Sequence, residues 1–185
     1  MTEPTSVLFV CLGNICRSPL ADGIFTHMVQ QQGLRDRFRI DSCGTGAWHV
    51  GNPPDPRSVL TAAKHNIDLT TLLARQFDAD SDPIEFDWII PMDASNQREL
   101  IKQGTPKDKV RLMRSFDPAY TNQSKAPDVP DPYYGGDDGF DKVYEMLVRA
   151  CDGLFNSIYT LSFTQGSTDH DRNAFHKKNK QLGES

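Results

Sequence analysis

The chain has 185 residues, of which 37% are hydrophobic and 24% charged, enough for one domain with a full core and too few for a second. Its formal net charge of -5 argues against a nucleic-acid partner, because no stripe of Lys and Arg outweighs the acidic residues. The four cysteines include no CxxC pair, so neither a zinc site nor a secreted disulfide framework is indicated, and we expect no metal and no cofactor.

No stretch reaches the roughly 18 apolar residues that span a bilayer. Residues 1–6 are polar and lack both the basic start and the apolar core of a signal sequence. We therefore expect a cytoplasmic monomer with no membrane partner. From about Gln165 onward the chain is polar and has no apolar period, which predicts a mobile tail at 164–185 after a single domain at 1–163.

Strands and helices alternate along the domain. Apolar segments predict strands at 6–10, 38–43, 86–90 and 110–113. Apolar residues at helical spacing predict helices at 19–32, 56–67, 94–103 and 138–161. This order predicts an α/β fold, a doubly wound sheet of about four parallel strands flanked by helices, with ligands bound at the carboxyl ends of the strands. The Pro- and Gly-rich segment 117–136 is predicted to be a long ordered loop or a lid.

The residues Cys11–Ser18 connect the first strand to the first helix. Such a loop points backbone N–H groups and the positive end of a helix at one spot, which predicts a phosphate-binding loop. A helix N-terminus and a nearby Arg favour the ionised form of a thiol, which makes Cys11 a candidate nucleophile. Arg17 is unfavourably placed at a helix start unless it binds an anion, for instance by clamping two phosphoryl oxygens. Gly13 and Asn14 tolerate positive φ and are predicted to adopt it; Ser18 is a candidate helix N-cap.

The run Val10-Cys11-Leu12-Gly13-Asn14-Ile15-Cys16-Arg17-Ser18-Pro19 resembles the low-molecular-weight protein tyrosine phosphatase family. The resemblance implies hydrolysis of phosphotyrosine in proteins through a cysteinyl phosphate, with Cys11 as nucleophile and no cofactor. It also implies that phosphate is bound by Arg17 and by the rest of the loop, namely Leu12, Gly13, Asn14, Ile15, Cys16 and Ser18.

The resemblance implies further roles for four residues. Ser18 would donate to the Cys11 sulfur as well as, or instead of, capping the helix. Ser42 would support the loop through the Asn14 side chain, although a plain Ser at a strand end is an alternative. Cys16 would form a reversible disulfide with Cys11 that protects it from deeper oxidation. Asp93 is both a candidate helix cap and a candidate supporting acid near the site.

A second motif, Val129-Pro130-Asp131-Pro132-Tyr133-Tyr134-Gly135, matches the acid loop of the same family. It selects Asp131 as general acid and base, whereas composition alone leaves Asp117 and Asp128 as competitors. By the same resemblance, Trp48, Tyr133 and Tyr134 would sandwich the phosphotyrosine ring, with core or loop-anchoring roles as alternatives. His49 has no motif around it and is expected to be a surface residue.

Some animal members of the family carry a His shortly before a match to Ala74-Arg75-Gln76, whereas Leu72 and Leu73 precede it here. That support of the phosphate loop must therefore be absent or replaced. Two relatives share the fold. Arsenate reductases need relay cysteines after the third strand, and none stands there. Protein arginine phosphatases favour Thr at the position of Ile15 and lack the paired tyrosines, so an aryl phosphate is favoured here. A binding module without turnover is the alternative outside enzymes.

Overall fold

The computed structural model describes residues 3–123, 125–136 and 138–164. Within them, the chain forms three strands and five α-helices: β1 (Thr5–Cys11), α1 (Arg17–Gln31), β2 (Phe38–Gly44), α2 (Pro56–Ala63), α3 (Asp82–Glu85), β3 (Trp88–Pro91), α4 (Ala94–Lys102) and α5 (Gly139–Thr164). Short 3-10 turns lie at Arg35–Arg37, Met113–Ser115 and Pro132–Tyr134.

The strands form one parallel sheet in the order β2-β1-β3. β1 occupies the centre because its apolar run is buried on both faces. On one face Phe9 packs edge-on against Phe25 of α1, with ring centroids 5.7 Å apart. On the other face Leu8 lies in a buried cluster with Leu100 of α4 and Phe86. Helices therefore cover both faces, and the predicted α/β class is confirmed.

The prediction of a fourth strand at 110–113 is wrong, because the described sheet has three strands. Val110 makes a single parallel bridge with Ile89, through hydrogen bonds of 2.9 and 3.1 Å to the flanking residues Lys109 and Arg111. A turn that closes at Lys109 and the 3-10 turn from Met113 leave room for only this one pair.

The predicted helix at 56–67 ends earlier, at Ala63. Asn66 adopts a left-handed conformation with φ 60°, and its N–H donates to the Ala63 carbonyl while that of Ile67 donates to Ala62. These two bonds are the Schellman arrangement that terminates a helix. Asn66 thus replaces the glycine by which such an end is usually recognised in a sequence.

The chain divides into two compact units, and the first runs to Leu154. The second begins at Phe155 and is described only as the last turns of α5, to Thr164. Apart from Thr164, the tail predicted at 164–185 lies outside the described residues, and the domain limits stay a prediction. Within the described ranges, none of the helices combines the length and the apolar composition needed to span a bilayer.

Asp22 is a buried carboxyl group whose pKa is strongly raised. Asp22 of α1 is only 6% exposed and lines a cavity of about 460 Å³ together with Asp41 and Arg35. Burial, together with the charge of Asp41, raises the pKa of Asp22 to about 7, although hydrogen bonds from Thr26 and Ser42 oppose the shift. The native chain therefore binds one more proton than the unfolded chain between about pH 4 and about pH 7.

We expect the free energy of unfolding to fall as the pH rises through this window and to level off above it, because the folded state must then hold a buried charge. The fall attributable to Asp22 is at most about 4 kcal/mol. Urea denaturation across the window should show a flatter profile for Asp22→Asn than for the native chain. The matched control is Asp36→Asn, which removes an exposed carboxylate; equal slopes in Asp22→Asn and the native chain would contradict the assignment.

Candidate active site

The loop between β1 and α1 wraps around the sulfur of Cys11. Cys11 ends the central strand, and its side chain is buried. The backbone N–H of Asn14 donates to its Sγ at 3.2 Å, and Ser18 Oγ lies 3.0 Å from the same sulfur. Two polar groups, one main-chain N–H and one hydroxyl, therefore converge on Sγ.

The side chain of Asn14 holds the loop in shape. Asn14 is buried, and its backbone has the left-handed φ of 55°. Its Nδ2 donates to Ser18 Oγ at 2.9 Å and to Ser42 Oγ at 3.1 Å. Its Oδ1 accepts the backbone N–H of Arg75 at 2.9 Å. The Arg75 guanidinium is in turn paired with Asp41 and Asp82. A main-chain N–H of the segment that follows Leu72 and Leu73 thus supports the loop.

Gly13 does not share the predicted backbone geometry. Asn14 has positive φ, but Gly13 is absent from the positive-φ residues among the described part of the chain. Gly13 instead lacks a side chain where the His49 ring approaches, since a Cβ there would lie 3.0 Å from His49 Cδ2. At the end of β2, a Cβ on Gly44 would lie 2.7 Å from the Leu12 carbonyl oxygen. The loop therefore rests directly on the backbone of β2.

Ser18 is not the helix N-cap. α1 begins at Arg17 and its cap residue is Cys16, which makes no capping bond through its side chain. The fully buried Ser18 hydroxyl faces three partners, namely Cys11 Sγ, Asn14 Nδ2 and, at 3.3 Å, the Cys43 carbonyl. Since Nδ2 is itself a donor, the hydroxyl proton is available to the sulfur or to the carbonyl.

Arg17 joins the loop to two carboxylates from distant parts of the chain. Its Nη1 donates to Asp93 Oδ2 at 2.6 Å and to the Val129 carbonyl at 3.1 Å, and its Nη2 donates to Asp131 Oδ2 at 3.3 Å. Burial opposes the charge, but Cys11, Asp93 and Asp131 together hold the pKa of Arg17 above its ordinary value. Asp93 also caps α4, because its Oδ1 accepts the Asn96 N–H at 2.7 Å.

Asp131 is the carboxylate of the 117–136 segment that reaches the cavity. Its Oδ1 accepts the N–H of Tyr133 at 3.1 Å, which caps the Pro132–Tyr134 turn. The two competitors are engaged elsewhere. Asp117 is fully buried and paired with Arg149, while Asp128 accepts the N–H of Ala94 at the start of α4.

These groups border one cavity of about 160 Å³. It is lined by Cys11, Arg17, the loop residues Leu12, Gly13, Ile15 and Cys16, and Trp48, His49, Asp131, Tyr133 and Tyr134. Asn14 and Ser18 are not among the lining residues. Trp48 is 74% and Tyr134 90% exposed, so neither is a core residue. The place of His49 in the wall was not expected from the sequence.

Cys16 lines the same cavity as Cys11, and both thiols are free. Burial, with the charges of Asp55, Cys11 and Asp131, raises the pKa of Cys16 to about 12. Cys16 is therefore a neutral thiol at physiological pH.

The start of α2 supports the loop from the other side, a role that the sequence did not indicate. The N–H of Asp55 donates to the Ile15 carbonyl at 2.7 Å, and Ser58 Oγ donates to the Cys16 carbonyl at 3.1 Å. Asp55 also fixes Arg57, whose Nη1 donates to the Tyr133 carbonyl at 3.2 Å. The pair Asp55-Pro56 is a helix-start signal, but nothing in the local sequence identifies the loop carbonyls as its partners.

Known proteins resemble the chain over the part that carries this geometry. The profile of the family described as low molecular weight phosphotyrosine protein phosphatase matches residues 6–162. A protein of that name from Schizosaccharomyces pombe is 46% identical over 159 residues, which cover 85% of this chain and 99% of the relative.

Two solved structures extend the comparison. YfkJ from Bacillus subtilis superposes with a TM-score of 0.78 at 37% identity, covering 86% of this chain and 97% of its own. DARP, a drosophila arginine phosphatase, superposes with a TM-score of 0.73 at 32% identity, covering 82% and 96%. With the family profile spanning most of its length and the signature loop folded around Cys11, the chain belongs to the low molecular weight phosphotyrosine protein phosphatase family.

Proposed function

We propose that Cys11, Arg17 and Asp131 carry out the hydrolysis of phosphotyrosine in proteins and of small aryl phosphates. The observation that carries the proposal is the convergence of a thiol, a guanidinium and a carboxyl group on one small cavity with aromatic walls. Arg17 and Asp131 are 114 positions apart and lie within hydrogen-bond distance. A surface that only bound phosphopeptides would need neither a nucleophile nor a proton donor in the cavity.

In the first step the Cys11 thiolate attacks phosphorus, and the bond from phosphorus to the tyrosine oxygen breaks. Arg17 and the N–H groups of the loop hold the phosphoryl oxygens as charge spreads over them. Asp131, carrying a proton for this step, donates it to the leaving phenolate, whose conjugate acid has a pKa of ~10. The products of the step are tyrosine and a Cys11 phosphate.

In the second step a water molecule replaces the sulfur on phosphorus. Asp131, now ionised, takes the proton of the water, and inorganic phosphate is released. The leaving group is the Cys11 thiolate, which Ser18 Oγ at 3.0 Å and the Asn14 N–H at 3.2 Å are placed to stabilise. The enzyme returns to its starting state.

The walls of the cavity favour an aryl phosphate. Ile15 presents an apolar side chain, while Trp48, Tyr133 and Tyr134 present rings around the opening, the groups that an aromatic substrate ring packs against. The similarity to an arginine phosphatase keeps phosphoarginine as the competing substrate. Phosphotyrosine-containing proteins are the proposed partners. We propose a monomeric enzyme in the cytoplasm; the four free thiols fit the reducing conditions of that compartment.

We expect Cys11→Ser to abolish hydrolysis of p-nitrophenyl phosphate in the presence of EDTA, and Asp131→Ala to reduce kcat about 10²- to 10⁴-fold. The loss in Asp131→Ala should be larger for phenyl phosphate, because phenolate is a more basic leaving group than p-nitrophenolate and depends more on protonation.

Brief exposure to substrate and acid quenching should trap phosphate on Cys11, visible by peptide mass spectrometry. Full activity of Cys11→Ser would overturn the mechanism, and faster turnover of phosphoarginine than of phosphotyrosine would overturn the substrate.

We expect Asn14→Ala to lower kcat about 10²-fold, because an Ala in the left-handed conformation is strained and three hydrogen bonds, two of them buried, disappear. Asn66→Ala is the matched control, since Asn66 has the same backbone conformation, φ 60°, at the end of α2. The control should lose thermal stability but keep its kcat. Equal effects of the two substitutions on kcat would contradict a special role for Asn14.

Cys16 should protect Cys11 from irreversible oxidation. Peroxide transfers an oxygen to the Cys11 thiolate, giving a sulfenic acid and hydroxide; the Cys16 thiol then attacks this sulfur, giving a disulfide and water. After peroxide treatment, dithiothreitol should restore most activity to the native chain and little to Cys16→Ser. Cys151→Ala, which removes a buried thiol outside the cavity, should recover like the native chain. Full recovery of Cys16→Ser would exclude the disulfide.

A further inference from the structure

A second cavity, of about 580 Å³, adjoins the candidate active site. Leu12 and Trp48 line both cavities. The Trp48 ring lies against Gly46, where an added Cβ would come within 3.0 Å of three ring atoms. One wall of the active site is therefore also a wall of this second space, which we call the α4 groove because most of its other lining belongs to that helix, including Arg98, Glu99 and Lys102.

The α4 groove carries a cation with no acidic partner. Arg98 is exposed, and within the described residues it forms no ion pair. Glu99 is turned away from it, because its Oε1 accepts from Gln103 Nε2 at 2.9 Å and its Oε2 lies 3.7 Å from Lys102 Nζ. With two cations and one anion, the charged side chains of the groove sum to +1, whereas the whole chain has a net charge of -5.

We propose that the α4 groove binds an acidic side chain of the substrate protein, close in sequence to the phosphotyrosine. The inference rests on the proposed function, since it is the ring in the active site that brings the neighbouring chain past Trp48. A peptide whose tyrosine enters the first cavity must leave over its rim, and on the Trp48 side the groove adjoins that rim, since Trp48 and Leu12 line both cavities. The Arg98 guanidinium offers a planar pair of donors that matches a carboxylate.

The gain in kcat/KM from this ion pair is limited by the exposure of Arg98 to solvent. Both partners stay in contact with water, and exposed ion pairs contribute little energy and are screened by salt. The acidic residue should therefore raise kcat/KM by about two- to fivefold over its neutral analogue at low ionic strength. The ion pair would therefore determine which phosphoproteins are preferred and would leave the rate of the chemical step unchanged.

The test uses the full chain and phosphotyrosine peptides in which Glu or Gln occupies one neighbouring position at a time. Each variant is normalised to its own p-nitrophenyl phosphate activity, because that substrate has no peptide chain to reach the groove. Arg98→Gln should bring the Glu/Gln ratio of kcat/KM at the preferred position to about one, and Arg98→Glu should invert it. Lys107→Gln is the matched control, since it removes an exposed cation that lines neither cavity.

The expected pattern is a Glu preference in the native chain and in Lys107→Gln that shrinks in high salt. A native chain without such a preference, or a preference that survives in Arg98→Gln, would overturn the inference. These outcomes are separable from a failure of the proposed function, which would show as p-nitrophenyl phosphate hydrolysis that does not require Cys11.

Discussion

The left-handed turn at Asn14 is the constraint on which the rest of the site depends. A residue with φ 55° bends the chain after Cys11 back upon itself, so that its own N–H reaches Sγ. Both polar atoms of the side-chain amide are engaged: Nδ2 donates to Ser18 and Ser42, and Oδ1 accepts the N–H of Arg75. These partners come from α1, from β2 and from the segment that precedes α3. One amide thus connects the loop to a helix, to a strand of the sheet and to a third segment.

The site is assembled from two halves that are far apart in the sequence. The loop after β1 supplies the thiol and the guanidinium. The chain after β3 supplies the groups that surround Arg17, namely the Asp93 carboxylate before α4 and the Val129 carbonyl and Asp131 carboxylate after α4. The backbone bond from the Val129 N–H to the Met92 carbonyl attaches the second half to the end of β3. Parallel strands place their carboxyl ends at one edge, which is why residues following β1 and β3 meet.

Sequence reasoning reached the features that local patterns encode. The apolar run at 7–10 predicts a buried strand, Asp93 is predicted to cap a helix, and the place of Cys11–Ser18 between a strand and a helix predicts a phosphate-binding loop. It failed where the deciding partner is remote or the local signal is ambiguous. The pattern at 110–113 is strand-like, yet turns on both sides limit its pairing to one residue. The supports from Asp55 and Ser58 are bonds to backbone carbonyls, which leave no trace in the side-chain pattern.

The contacts of Arg17 have a geometric consequence for any anion that enters the cavity. The amino group Nη1 has two hydrogens, and both are directed to protein acceptors, the Asp93 carboxylate and the Val129 carbonyl. The plane of the guanidinium is therefore fixed before a ligand arrives. Since Nη2 also gives one hydrogen to Asp131 Oδ2 at 3.3 Å, the Nε–H and the second hydrogen of Nη2 are the donors that the described residues leave for a phosphoryl group. Orientation of the bound phosphate is in this way set during folding, so that little rotational freedom of the arginine is lost when the substrate binds.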